Sequence, residues 1–440
     1  MERYSEYKDS GVKWLGEIPS HWKVEPFGRH FSFRKGLPIT KANLIDSGEA
    51  VISYGQIHAK ENLGTTMSES LVRYVSRDYL KSHPQCLLTK DDFVFADTSE
   101  DIGGSGNFVY NDFPANIFAG YHTIVAKQSG LYNPSYYAYL FKSECWRNHI
   151  RSLVNGVKVY SIGRKQLKSN FLLFPSYKEQ DAIVRYLDAA TSKIDKAIAM
   201  QQKMIDLLNE RKQIIIQNAV TKGLDENVEM KDSGVEWIGM IPKHWKILKL
   251  KRCASIKTGT TPPTNERKYF DGGRISWFTP GDMNNMHLEF ASKMITQKAI
   301  DDKVGRLFPA KTIYFVGIGA TVAKVSACDF EASSNQQINA IICNKSLDYR
   351  FATYVLKSEQ EFIRNMANYV TLPIINQSDT GLIDMIVSPK SEQQAIVAYL
   401  DKQMQRFDSA ISNCQRQIAL LQERKQIIIN EVVTGKVKVS

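Results

Sequence analysis

Two segments of this chain occur twice, and any fold has to accommodate both copies. Residues 8–22 read KDSGVKWLGEIPSHW and residues 231–245 read KDSGVEWIGMIPKHW, identical at 11 of 15 positions. Residues 179–221 run from EQDAIVRYLDAA to NERKQIIIQNAVT, residues 392–434 from EQQAIVAYLDKQ to QERKQIIINEVVT, and 24 of 43 positions agree. The order is therefore short block, variable segment and long block, followed by the same three again. A repeat on this scale sets the architecture before any local element is assigned.

The long block predicts a helix. Its seam positions step by three and four: Leu187, Thr191, Ile194, Ile198, Gln201, Ile205, Leu208, Lys212 and Ile215. The second copy gives Leu400, Met404, Phe407, Ile411, Cys414, Ile418, Leu421, Lys425 and Ile428 in the same register. Sustained over four heptads without Gly or Pro, this is a coiled-coil stripe. About 40 residues at 1.5 Å each make a rod of roughly 60 Å. Such a helix is poorly buried alone, and the other copy is the nearest partner. Lys212 and Lys425 interrupt the two seams at equivalent places, where a polar residue can set register. In the short block, Trp14, Ile18, Pro19 and Trp22, with Trp237, Ile241, Pro242 and Trp245, look like segments packed onto a domain surface. His21 and His244 have no nucleophile or acid beside them in sequence and read as structural.

The expected division is residues 1–178 as a first head, 179–223 as a central long helix, and 224–391 as a second head. Residues 392–434 repeat the helix, and 435–440 form a tail. Gly223 and the acidic stretch 225–236 end the first helix. Between the matching blocks, residues 23–178 carry 19 Lys/Arg against 13 Asp/Glu, and so do residues 246–391. Each variable segment is thus +6, which accounts for more than the whole chain's +11. The blocks are nearly neutral. A charge needed only for solubility has no reason to be partitioned this way, whereas two heads that bind a polyanion do.

Both heads are punctuated by Gly and rich in strand signals: Ala50–Tyr54 and Asp92–Ala96 in the first, Arg274–Phe278 and Thr312–Val316 in the second. Each then shows an amphipathic helix, opened by Asn133-Pro134 in the first and containing Tyr354–Glu359 in the second. A short apolar strand before Pro175 or Pro389 precedes each long helix. The order predicts mixed α+β heads with curved sheets and peripheral helices. The copies that make scaffold contacts have stayed alike while the heads have diverged, which suits two unlike readers on one frame.

Enzyme motifs are sparse. Asn133-Pro134-Ser135-Tyr136 resembles the Asn-Pro-Pro-Tyr tetrapeptide of adenine methyltransferases, but the second proline is missing and no glycine-rich cofactor loop precedes it. Asn capping a helix with Pro in its first turn explains it better. Gly317-Ile318-Gly319-Ala320 is too short for a dinucleotide loop, and no Gly-x-x-x-x-Gly-Lys-Ser/Thr exists for ATP. The six cysteines show neither Cys-x-x-Cys nor zinc spacing, so buried reduced thiols are expected, without metal. No apolar run reaches the ~18 residues of a membrane span, and the first residues are too polar for a signal peptide. A cytoplasmic setting is expected.

What remains is recognition. Lys257-Thr258-Gly259-Thr260-Thr261-Pro262-Pro263 reads as a polar loop after a strand, presenting hydroxyls and an ammonium to phosphates. Asn335, Gln336 and Gln337 offer amides suited to adenine edges. Residues 155–165 offer Lys158, Tyr160, Arg164 and Lys165 beside two glycines. Lys35, Arg274 and Lys324 are further cationic candidates. A rival from a different class is a coiled-coil adaptor with two protein-binding domains, which has no need of +6 on each variable segment.

The repeated Asp-Ser-Gly-Val-x-Trp-x-Gly-x-Ile-Pro-x-His-Trp block and the repeated helix with Glu-Arg-Lys-Gln resemble the specificity subunit of type I restriction–modification enzymes, over nearly the whole chain. In the second head, Gly259–Pro263, Ile275–Asp282 and Ser333–Gln337 resemble the family's target-recognition domain. The first head departs from it, with Ile52–Gln56 in place of the Trp-containing strand and Gly120–Thr123 in place of Asn-Gln-Gln. The resemblance implies two target-recognition domains separated by two long antiparallel coiled-coil helices, each head reading one half of a split double-stranded DNA site. It implies docking of two methyltransferase subunits and, through them, of restriction/translocase subunits. No cofactor would belong to this chain; S-adenosylmethionine, ATP and magnesium would sit in the partners.

Overall fold

The computed structural model describes residues 2–113, 116–369 and 372–439. The chain divides into two compact units, Met1–Gln201 with Arg416–Ser440, and Gln202–Gln415. The long blocks are continuous helices, Tyr177–Lys222 and Lys390–Val433, and each contributes residues to both units.

The expected seam is the buried stripe. Leu187, Thr191, Ile194 and Ile205 of the first helix are buried, as are Leu400, Met404, Phe407 and Ile428 of the second. The two seam lysines are paired across it, Lys212 with Asp408 at 2.6 Å and Lys425 with Asp195 at 2.7 Å. Lys212 follows Asp195 by 17 positions in one helix and Lys425 follows Asp408 by 17 in the other, so the helices run antiparallel. The carboxylates are more than half exposed. Such pairs contribute less to stability than to register. Next to the second pair, burial pushes the Lys142 ammonium down to about 8, and the Lys425 charge adds to that.

In the first unit a four-stranded antiparallel sheet has the order Phe108–Tyr110, Phe93–Ala96, Thr123–Gln128, Phe31–Lys35. A second sheet pairs Ile117–Ala119 in parallel with Glu49–Ile52. The second unit repeats this. Val325–Cys328, Thr312–Val316, Ile338–Cys343 and Ala254–Thr258 form the antiparallel sheet, and Ser333–Ser334 runs parallel to Ile275–Phe278. The central strands Phe93–Ala96 and Thr312–Val316 are buried at every residue, which is why they read as continuous apolar runs. Two expectations need correction. The strand expected over Ala50–Tyr54 stops at Ile52, because the Gln56 side chain accepts from Ser53 N and a single helical turn, Tyr54–Ile57, begins. Lys257 and Thr258 are the last residues of a strand and not of the loop after it.

The identical positions of the repeat explain themselves here. Glu179, at the start of the first long helix, accepts from Trp22 Nε1 at 3.2 Å and lies 2.8 Å from His21 Nε2. Glu392 does the same with Trp245 at 2.8 Å and His244 at 2.8 Å. Burial works to raise the Glu179 pKa, but hydrogen bonds from His21, Ser176 and Trp22 outweigh it and hold the carboxyl below its usual range. The neighbouring glutamines fix the head helices. Gln180 accepts from Asn133 N and Gln393 from Asp348 N, at 2.8 and 2.7 Å, and Asn133 caps helix Pro134–Lys142 as expected, accepting from Ser135 N. About two turns on, Asp188 accepts from Tyr139 Oη and Asp401 from Tyr354 Oη.

Each head therefore packs on the start of one long helix and the end of the other. Ile183 and Leu187 share a core with Ile429, Val432 and Val433, and Ile396 and Leu400 share one with Ile216, Ala219 and Val220. The residues after the second helix lie on the first short block: Tyr7 Oη donates to Lys436 O at 3.1 Å and Lys436 Nζ to Leu15 O at 3.2 Å. Gly435, at φ +71°, leaves no room there for a side chain, since a Cβ would stand 2.5 Å from Pro19 Cδ.

Candidate nucleic-acid interface

In the second unit, the parallel pairing of Ile275–Phe278 with Ser333–Ser334 brings the ends of two strands together. Asn335 N donates to Phe278 O, and Thr260 N to Ser334 O. The result is an open groove of about 500 Å³ lined by Thr261, Trp277, Thr279, Lys293, Thr321 and Asn335 to Gln337, among others. Trp277 Nε1 donates to Thr260 O at 3.0 Å, Thr261 Oγ1 hydrogen-bonds Gln336, and Asn335 Nδ2 donates to Gln337 Oε1 at 2.9 Å. Gly259 permits the close approach: a Cβ would stand 2.3 Å from Asn335 O. The groove thus offers amides, hydroxyls, an indole and one ammonium, donors and acceptors of the kind that read base edges.

Of the residues singled out in this head, Thr261, Asn335 and Gln336 line the groove. Thr260 supports it through its carbonyl. Thr258 turns inward, donating to Asn339 Oδ1 at 2.9 Å. Lys257 is exposed on the same edge strand and, by alternation, faces the other way. Arg274 is exposed just before Ile275–Phe278. Lys324 lies beside helix Tyr349–Ser358, where its charge joins burial in lowering the Lys357 pKa. Gln337, offered with its neighbours as an amide, lines the groove too. Trp277, Lys293 and Thr321 were not singled out as contacts. Trp277 carried a signal, standing in the Ile275–Asp282 motif, but the rest are brought in by strand pairings that no local pattern reveals.

The equivalent place in the first head has different chemistry. Gly36 does there what Gly259 does in the second, with a Cβ site 2.2 Å from Gly120 O, and Gly120 N donates to Ile52 O. Around it the Tyr54 ring lies 4.8 Å from His58 and 6.1 Å from His122, and His122 Nδ1 is 3.2 Å from Asp97 Oδ1. Burial, then the Glu100 carboxylate, raises the Tyr54 hydroxyl pKa. None of these side chains was among the candidates.

The cations expected in this head lie to the side. Lys35 is exposed at the end of Phe31–Lys35. Lys158 stands on a loop closed by the short strand Tyr160–Ser161, which pairs with Thr98–Ser99. Arg164 and Lys165, exposed in helix Arg164–Ser169, line an open depression of about 780 Å³ with Gly163, Lys168 and Ser169.

The family model for the type I restriction modification DNA specificity domain matches residues 19–204 and 242–422. The chain is 24% identical to the putative type I restriction enzyme MjaX specificity subunit of Methanocaldococcus jannaschii, covering 98% of each. It is 21% identical to the MjaVIII specificity subunit of the same organism, over 98% of this chain and 97% of that one. A solved structure from work on complex assembly and conformational transition of the type I R-M system superposes with a TM-score of 0.70 at 16% identity, over 96% of this chain and 99% of that one. The fold is shared along the whole length. With each head and the helix after it matched separately by the same model, the chain belongs to the family of type I restriction–modification DNA specificity subunits.

Proposed function

We propose that this subunit selects the target of a type I restriction–modification complex, each head reading one half of a bipartite, asymmetric double-stranded site. The observation that carries the reading is the contrast between the heads. They share sheet order, parallel pairing and the close glycine, yet one groove presents amides and hydroxyls and the other tyrosine and histidine. Equal scaffolds with unlike linings suit unlike half-sites. The net +6 on the variable segment of each head supplies the sequence-independent attraction to phosphates. The paired helices set the number of unread base pairs and dock two methyltransferase subunits, through which restriction/translocase subunits join. Chemistry, with S-adenosylmethionine, ATP and magnesium, belongs to those partners, and the complex works in the cytoplasm. Among the described residues no helix is long and apolar enough to cross a membrane.

Exchanging residues 246–391 for the corresponding head of another family member is expected to change one half-site and leave the other intact, read by mapping methylated adenines in cells that also express the methyltransferase. A change in both halves would overturn the independent-reader account. Lys257→Ala is expected to weaken binding across all sequences and to reduce the slope of log K against log salt by about one, as loss of a phosphate contact does. A salt-independent loss would remove Lys257 from the backbone contacts. An adaptor that binds protein would show no steep salt dependence on DNA at all.

A further inference from the structure

We propose that the loop carrying Val157 and Val159 reads thymine in the first half-site, its two valines contacting 5-methyl groups in the major groove. The proposal rests on the reading of the first head as a DNA reader. Val157 is 90% exposed and Val159 54%, so two apolar side chains stand in water on one loop. That loop is held in shape. Asn155 and Ser161 exchange backbone hydrogen bonds at 3.2 and 2.9 Å, and Tyr160 and Ser161 zip onto Ser99 and Thr98. Gly156, at φ +139°, brings the backbone against Val159 O, which would lie 1.9 Å from a Cβ. A closed, glycine-tightened turn keeps both valines outward.

The surroundings select nucleic acid as the occupant. Lys158 lies between the valines, Arg164 and Lys165 follow, and from Cys145 to Lys178 the chain has seven Lys/Arg and no Asp or Glu. Within its own stretch of chain the exposed apolar tip is flanked by cations alone, complementary to a base edge between phosphates; the carboxylates nearest it in the fold are Glu100 and Asp101, which follow the strand it pairs with. A protein partner would call for a wider apolar patch. Among base edges in the major groove, thymine alone presents a methyl group. Valine is short and branched, unlike the Phe, Leu, Ile, Met or Pro wedges that unstack base steps. The second head places apolar residues at the same point: Leu372 and Ile374 are 52% and 37% exposed. Gly319 N, beside the groove, donates to Pro373 O at 3.1 Å.

The test uses the complex of this subunit with its methyltransferase partner and its mapped target. Each thymine of the first half-site, on both strands, is replaced in turn by uracil, which removes only the methyl. The wild-type complex is expected to lose about fourfold in affinity at one or two positions, the cost of one buried methyl. The variant Val157→Ser/Val159→Ser is expected to bind thymine and uracil duplexes equally. Indifference of the wild type to uracil everywhere, or a first half-site without thymine, would overturn the proposal whether or not the variant folds. So would a rise in fluorescence of 2-aminopurine placed in the half-site without uracil sensitivity, which marks a wedge. Failure of the wild type to bind its mapped target would instead sink the reading of the head itself.

Discussion

Removing one heptad from each long helix, residues 201–207 and 414–420, is expected to yield a complex that methylates sites with the same two half-sites and about three fewer base pairs between them. Seven residues shorten a helix by about 10 Å, and base pairs stack about every 3.4 Å. The deletion falls between Asp195 and Lys212 in one helix and between Asp408 and Lys425 in the other, so both ion pairs keep their partners. A whole heptad also preserves the seam, with Leu208 taking the place of Gln201. Affinity for the original target is expected to fall to the non-specific level, a loss of about a thousandfold or more. Removing a single turn from either helix alone is expected to move the spacer too, with an added cost from broken register. Mapping of methylated adenines reads the outcome, and an unchanged spacer would discredit the helices as the ruler.

The second large effect concerns stability. Trp245→Ala is expected to cost about 3–5 kcal/mol, because the indole is fully buried and its Nε1 donates to Glu392 at 2.8 Å. The substitution opens a cavity in the core of the second unit and strips the helix-initial glutamate of a donor. Trp22→Ala is expected to act equally on the first unit, where Trp22 and Glu179 play the same parts. Urea unfolding of the purified subunit measures both. A loss below about 1 kcal/mol at either site would show that the short block is an accessory to its head.

Much of this frame was legible in the sequence because it rests on period and identity. The seam residues recur at helical spacing, and the repeated Glu-Gln, Trp and Asp positions are alike because each makes the same contact twice. The cap at Asn133 was legible for the same local reason. The grooves were not. Thr261 and Asn335, more than seventy residues apart, meet beside a parallel strand pair that itself bridges 56 residues, and Tyr54, His58 and His122 are gathered around a parallel pair that bridges 67. Charge marked the two variable segments but did not pick out the grooves: Lys324 lies beside a helix, while Lys293, in the groove, stands in no motif. Backbone pairing over long separations decides which side chains face a ligand, and composition does not record it.

Val433 O receives the Tyr136 hydroxyl, and Lys436 bonds to the first short block. The head translated first is consequently the one that waits longest. Until residues 429–433 have left the ribosome, its core lacks Ile429, Val432 and Val433, and it sits as an open apolar surface while the second head can already close. Nonsense mutations that remove Ile429, Val432 and Val433 would therefore strike the amino-terminal head first.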